Sequence, residues 1–376
     1  MTDNRTILLK LVRSAMGWED DFSLPKKVDW LGVTQLAHEQ SVSAIFLDGY
    51  QNLMNQNTDI PSFMGETDDE ELLRMSMKGL YSTEIQYQKQ EDALNTLYNL
   101  LSPHKIPFLV FKGFACAQYY PIPQHRECGD IDIYAGGLYK ESNRVLMENQ
   151  IQVDPYYYRH SASFINGVMI ENHSILGDLR GSRDSKSFND LLVRIADDIL
   201  SQSSQKGMND SIQSGVIFPS ANFNMLFLPW HVSAHFAFER VTLRHLLDWA
   251  LFLLKEGECV DEDLLKNSKK KYKHGYCQFV DILTALSIKY LHVPIDKIPD
   301  KFVEDISGLD ASLVDKVWNY MFVGKPRDRD ENVWKFRRNN VNRIWQERWK
   351  YRTLYNTSVL SFYYQKIKGV LLKIGE

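Results

Sequence analysis

The chain has 376 residues, a formal net charge of −4, and 44% hydrophobic and 24% charged residues. That length exceeds one compact domain and predicts a core with additions, two or three units in all. The slightly negative charge argues against a globally basic nucleic-acid binder, and no run of about 18 apolar residues is present to span a bilayer. The opening MTDNRTILLKLVRSAMGWEDD shows no apolar stretch followed by a small-residue cleavage site, so a cytoplasmic location is expected. Cys116, Cys128, Cys259 and Cys277 form no CxxC pair and have no histidine at zinc-finger spacing, so they read as reduced thiols without assigned chemistry.

In chain order, residues 5 to 102 carry helical signals. WLGVTQLAHEQSVSAIFLDGYQNL and ELLRMSMKGLYSTEIQYQKQEDALNTLYNLL repeat apolar residues at three and four spacing. Pro103 to Pro107 punctuate the chain, and IPFLVFKG then reads as a short buried strand. FACAQYY predicts one or two helical turns, DIDIYAGG a strand, and YKESNRVLMENQ a helix. VDPYYYRH and VMIENHSI read as further strands separated by ASFING, whose Asn166-Gly167 is a hairpin turn signal. From Ser185 onward SFNDLLVRIADDILSQ, FNMLFLPWHVSAHFAFE and LRHLLDWALFLLKEG return to helical spacing. The polar, turn-rich SSQKGMNDSIQSGVIFPSANF between them reads as a surface loop. The expected class is α+β, a small mixed-sheet core flanked by N- and C-terminal helical regions. The expected units are 1–102 helical, 103–184 core, 185–325 helical and 326–376 a basic, aromatic helical segment.

The chemistry-bearing segment is FLVFKGFACAQYYPIPQHRECGDIDIY. Side chains alternate along a strand, so Asp130 and Asp132 share one face while Ile131 and Ile133 face the core. Two carboxylates on one face repel unless something binds them, and magnesium favours carboxylate oxygens while keeping positions open for phosphate. An acidic, solvent-facing strand edge is the bland alternative, but the flanks favour the metal. Lys112-Gly113 closes one strand and opens a helix, where a lysine and helix amides meet phosphates. Glu171, on a strand that could neighbour DIDIY, supplies a third carboxylate and a candidate general base for a two-metal site.

Lys112-Gly113, Tyr120-Pro121, Arg126, Gly129-Asp130-Ile131-Asp132 and Glu171-Asn172-His173 resemble the family called uncharacterised nucleotidyltransferases, within the DNA polymerase β-like superfamily. The motif resemblance spans residues 106 to 176, with a weaker likeness over 222 to 254. It implies transfer of a nucleoside monophosphate from a nucleoside triphosphate to an acceptor hydroxyl, with two Mg2+ ions on Asp130, Asp132 and Glu171. Lys112 and the Gly113 amide would then hold phosphates. The chain departs from the superfamily at the glycine motif, where Lys112-Gly113-Phe114 stands in place of Gly-Ser. Protein side chains, transfer RNA ends and small hydroxylated molecules are all acceptors compatible with the resemblance. The missing serine motivates a rival expectation, a catalytically inactive nucleotide or RNA binder of the same fold. The RxxGDID segment also resembles nucleotidyltransferase-type toxins of bacterial toxin and antitoxin pairs, which makes a toxin acting on tRNA a third.

Other residues divide between a functional and a structural role. Arg126 is expected either at a phosphate or in a bidentate pair with a carboxylate. His173, two residues beyond Glu171, faces the same side and is a candidate for substrate contact, with His160 nearby; a hydrogen-bonded structural histidine is the alternative. His231 and His235, four apart on a helix, are with Asp248 conceivable metal ligands, but the HExxH pattern is absent and they read first as a polar seam against the core, supported by an Arg244–Asp248 ion pair at the same spacing, with one of them a candidate for the acceptor pocket. The C-terminal Trp334, Arg337, Arg338, Arg343, Trp345, Arg348, Trp349, Lys350 and Arg352 admit three readings: RNA contact, a membrane surface, or a helix packed on the body.

Overall fold

The computed structural model describes the chain apart from residues 1–2, 20–23, 26, 57–68, 155–158, 178–183, 206–215, 239–240, 324–344, 362–363 and 365–376. Four helices come first: α1 (Asn4–Ala15), α2 (Trp30–Glu39), α3 (Ser43–Gln56) and α4 (Asp69–Leu101). Asp3 and Asp29 cap α1 and α2 by accepting from the Arg5 and Gly32 amides, as acidic N-caps do. Then come β1 (Leu109–Phe111), α5 (Gly113–Ala117), β2 (Ile131–Tyr134), α6 (Tyr139–Glu148), β3 (Val153–Asp154), β4 (His160–Ile165) and β5 (Val168–His173). A helical region follows, beginning with α7 (Ser185–Gln205), α8 (Ala221–Phe238), α9 (Leu243–Glu256), α10 (Glu262–Lys271) and α11 (Gln278–Leu291). The class is α+β, a mixed sheet with helical flanks.

The five strands lie in the order β1-β2-β5-β4-β3. The β2–β5 pair is parallel and the other three pairs are antiparallel. Two sequence expectations shift here. The strand expected in VDPYYYRH shrinks, among the described residues, to Val153–Asp154, and β4 lies instead in HSASFI, much of which reads as the connector. The Asn166-Gly167 turn falls as expected, with both residues at positive φ (52° and 79°), so the hairpin joins β4 to β5 directly. Asp130 stands one residue ahead of β2 rather than inside it.

The alternation of side chains gives the sheet two different faces. Val110, Ile131, Ile133, Val168 and Ile170 pack with Leu94, Leu97 and Leu101 of α4 and with Val145 and Leu146 of α6. Burying each such side chain contributes roughly 1.5–3 kcal/mol. On the same side the Asn172 amide donates to Ser142 Oγ and Asn143 Oδ1 at 2.9 Å, and Ser161 donates to Asn143, pinning α6 across two strands. The opposite face carries Leu109, Phe111 and Tyr134 in a second cluster with α7, α8 and α9. Phe111 meets Phe223 and Phe227 of α8 edge-on, at 5.9 and 5.1 Å between ring centroids. No helix among the described residues is long and apolar enough to cross a membrane.

Trp334, Arg337, Arg338 and Arg343 lie outside the described residues. Of the described part of the basic segment, Lys350 and Tyr351 are packed on the body, while Trp345, Arg348 and Arg352 are exposed. Lys350 is buried, its ammonium 3.5 Å from the centre of the Tyr320 ring and donating to the Phe236 carbonyl at 3.1 Å. Tyr351 donates to the Ala237 carbonyl at 3.0 Å.

Candidate functional site

Register assembles the carboxylates. Asp132 is paired with Phe111 on one side and with Glu171 on the other, and Glu171 is in turn opposite Ala162. Residues directly opposite on neighbouring strands put their side chains on the same face. Asp132 and Glu171 therefore emerge side by side, and Asp130, two residues earlier in the chain, joins them. One oxygen from each of the three lies within 4.8 Å of the others. Together they line a cleft of about 690 Å³ between this face of the sheet and helices α8 and α9.

Lys112 sits at the turn from β1 into α5 with φ 58° and ψ −133°, a conformation that a side chain disfavours. The turn carries its ammonium to Asp132 Oδ1, 2.6 Å away. His173, opposite His160 across the β4–β5 pair, donates from Nε2 to the same oxygen at 2.7 Å. Burial alone would raise the Asp132 pKa, but the Lys112 charge and the His173 hydrogen bond outweigh it and hold the carboxyl well below its usual range. Asp130 goes the other way. Burial, reinforced by the charges of Asp132 and Glu171, raises it against the pull of Lys112. The His160 and His173 Nε2 atoms each stand 3.5 Å from a Glu171 oxygen, and burial lowers the His160 pKa.

Gly113 has a structural reason to be glycine: a Cβ there would run into the Cys128 sulfur, so the turn closes against the segment leading to Asp130. Phe114, which stands where the resemblance leads one to expect serine, is buried and stacks on Tyr87 at 5.0 Å. It leaves no hydroxyl at that position.

Arg126 goes to a carboxylate, and that carboxylate belongs to the helical wall. Its Nε and Nη2 donate to the two oxygens of Asp248 at 2.8 and 2.6 Å, and Tyr120 adds a third donor at 2.8 Å. The expected Arg244–Asp248 pair is thereby displaced, and Arg244 instead donates to the Glu127 carbonyl at 2.9 Å. A side chain four residues away on a helix loses to one whose planar fork faces the carboxylate.

Two titratable cleft residues escaped the sequence reading. Arg159 stacks its guanidinium 5.3 Å from the Trp230 ring centre and lines the cleft beside Glu171. His245 joins His231 and His235 on the helical wall, where the only sequence hint is its place three residues after Thr242, a capping position. Burial, reinforced by His235, lowers the pKa of both His231 and His245 well below the ordinary imidazole value.

The model of the family described as uncharacterised nucleotidyltransferase matches residues 26–276, which takes in the sheet, the three carboxylates and both walls of the cleft. The chain belongs to this family. The chain matches no curated protein and no solved structure. Membership supports a nucleotidyltransferase kind of function, and a nucleotidyltransferase meets its triphosphate through metal-binding and cationic side chains of the kind gathered here.

Proposed function

We propose that this nucleotidyltransferase moves a nucleoside monophosphate from a nucleoside triphosphate to an acceptor hydroxyl and releases pyrophosphate, with two Mg2+ ions held by Asp130, Asp132 and Glu171. The observation that carries the reading is the Asp132–Glu171 register on parallel strands, with Asp130 beside it lining the same cleft. The donor set fits the ion: three carboxylates offer hard oxygens, and a divalent cation relieves both the burial that chiefly raises the Asp130 pKa and the repulsion from Asp132 and Glu171 that adds to it. Bound magnesium supplies charge neutralisation for phosphate oxygens in such a displacement.

The chain's own residues divide the remaining work. Lys112 faces both Asp132 and the cleft, and its ammonium stands in for the absent serine hydroxyl as a phosphate donor. Arg159 and Arg244 add positive charge around the same cleft for the rest of the triphosphate. Glu171 accepts the proton of the attacking hydroxyl. His173 positions Asp132 through its 2.7 Å bond and so acts behind the carboxylate rather than on the nucleotide. The α8–α9 wall is left to recognise the acceptor.

The test is incubation of the protein with magnesium, a lysate as acceptor source and each of the four α-labelled triphosphates, beside an Asp130→Ala, Asp132→Ala double variant. Label passing to a discrete RNA, protein or small molecule with the wild type alone is the expected result. Triphosphate binding without transfer in the wild type would favour the inactive binder that the Phe114 position suggests.

A further inference from the structure

We propose that His231, His235 and His245 form a second metal site on the helical wall, for a divalent cation of the zinc class. His231 and His235 are four apart on α8 and so share one face of that helix, and α9 brings His245 against them. The ring centroids are 4.4 Å apart for His231 and His235, 5.2 Å for His235 and His245, and 5.9 Å for His231 and His245. One nitrogen of each lies within 4.8 Å of the other two. Zinc–nitrogen bonds of about 2.1 Å in a tetrahedral set place the nitrogens roughly 3.4 Å apart, so small side-chain rotations close the site.

The surroundings match what holds such a ligand set. The Thr242 backbone N–H donates to His245 Nδ1 at 3.2 Å and the Thr242 hydroxyl lies 3.0 Å from the same nitrogen, so the ring is held at its Nδ1 edge; a metal at Nε2 requires the ring proton to move to Nδ1, where the hydroxyl accepts it in place of the backbone bond. Phe227 stacks on His231 with its ring plane 17° away and fixes the second ring. Nearby cations are mostly compensated: Arg126 is paired with Asp248 and Lys112 with Asp132, leaving Arg244, whose charge acts on both His231 and His245, to oppose the ion. Packing alone accounts for a stacked His231, but it gives no reason for three imidazoles to converge at the lining of a cleft.

Nitrogen donors favour the softer first-row ions over magnesium, so the two clusters on opposite walls select different metals. Three neutral ligands leave the ion its full charge and one coordination position on the cleft side. That position takes an anionic oxygen, a phosphate or carboxylate of a molecule in the cleft. The assignment stands whether or not the carboxylates carry nucleotidyl transfer.

Cobalt titration of the metal-stripped full-length chain tests it, because four-coordinate cobalt on nitrogen ligands absorbs visible light far more strongly than six-coordinate cobalt on oxygen. The expected result is one equivalent giving intense absorption, displaced by zinc but not by excess magnesium, and kept in an Asp130→Asn, Asp132→Asn variant. His235→Ala and His231→Gln should each weaken cobalt binding at least tenfold, and reading both, with thermal unfolding of the metal-free forms, keeps the test valid if one of them fails to fold. Absence of intense absorption, its persistence in the folded histidine variants, or its loss in the carboxylate variant would overturn the site.

Discussion

Lys112 holds a backbone conformation that costs a non-glycine residue about 1–3 kcal/mol, and the return on that strain is an ammonium aimed at Asp132 and the cleft. Glycine takes the same φ and ψ without penalty. Lys112→Gly should therefore melt higher than Lys112→Ala, by an amount equivalent to about 1 kcal/mol, while both lose roughly 10²-fold or more of transfer activity. Equal melting temperatures would remove the strain argument; undiminished activity would remove the phosphate role. The carboxylates themselves were legible in sequence, because the period-2 pattern of DIDIY and VMIENHSI puts Asp132 and Glu171 on the faces that register then joins. The Lys112 conformation was not, since nothing in the letters KG says which of the two carries the positive φ. His245 was hidden for a different reason, its partners being on another helix.

At the scale of elements, His125 ends a single 3-10 turn, Pro123–His125, and ties it to two helices. Its Nδ1 lies 2.8 Å from Asp48 of α3 and its Nε2 3.3 Å from Glu84 of α4. Burial opposes the charged ring, but the hydrogen bonds and charges of Asp48 and Glu84 outweigh it and raise the pKa. A raised imidazole stabilises the fold fully below its ordinary value, and the gain is lost as pH climbs through the raised one. In urea unfolding, wild type should exceed His125→Gln by about 1–2 kcal/mol at pH 6, with the margin shrinking by pH 9. A margin that grows with pH would contradict the assignment. The N-terminal helices, β1, β2, α5 and α6 follow from periodicity and turn signals in the sequence. The β4 boundary did not, because HSASFI mixes small and polar residues whose strand character comes from pairing with β5 and from the Ser161–Asn143–Asn172 contacts to α6.

Across the whole molecule, the Arg126–Asp248 pair with Tyr120 fastens the segment leading into Asp130 to the helical wall of the cleft, and so sets the distance between carboxylates and wall. Arg126→Met leaves Asp248 buried without its cation and should cost about 3–5 kcal/mol; Arg126→Met with Asp248→Leu should recover much of that. Thermal unfolding of the two variants checks this, and a double variant no more stable than Arg126→Met would show that the pair is not the cause. Transfer activity should stay depressed in the double variant, because the fork that orients the two walls is gone.

Following two labels at once decides whether the cleft transfers the nucleoside monophosphate. Wild-type protein, magnesium and the productive acceptor are incubated with one triphosphate labelled at the α-phosphate or at the γ-phosphate. Nucleotidyl transfer puts the α-label on the acceptor and the γ-label in pyrophosphate, both abolished by Asp130→Asn with Asp132→Asn. Label from the γ-position appearing on the acceptor would contradict it and make the chemistry phosphoryl transfer.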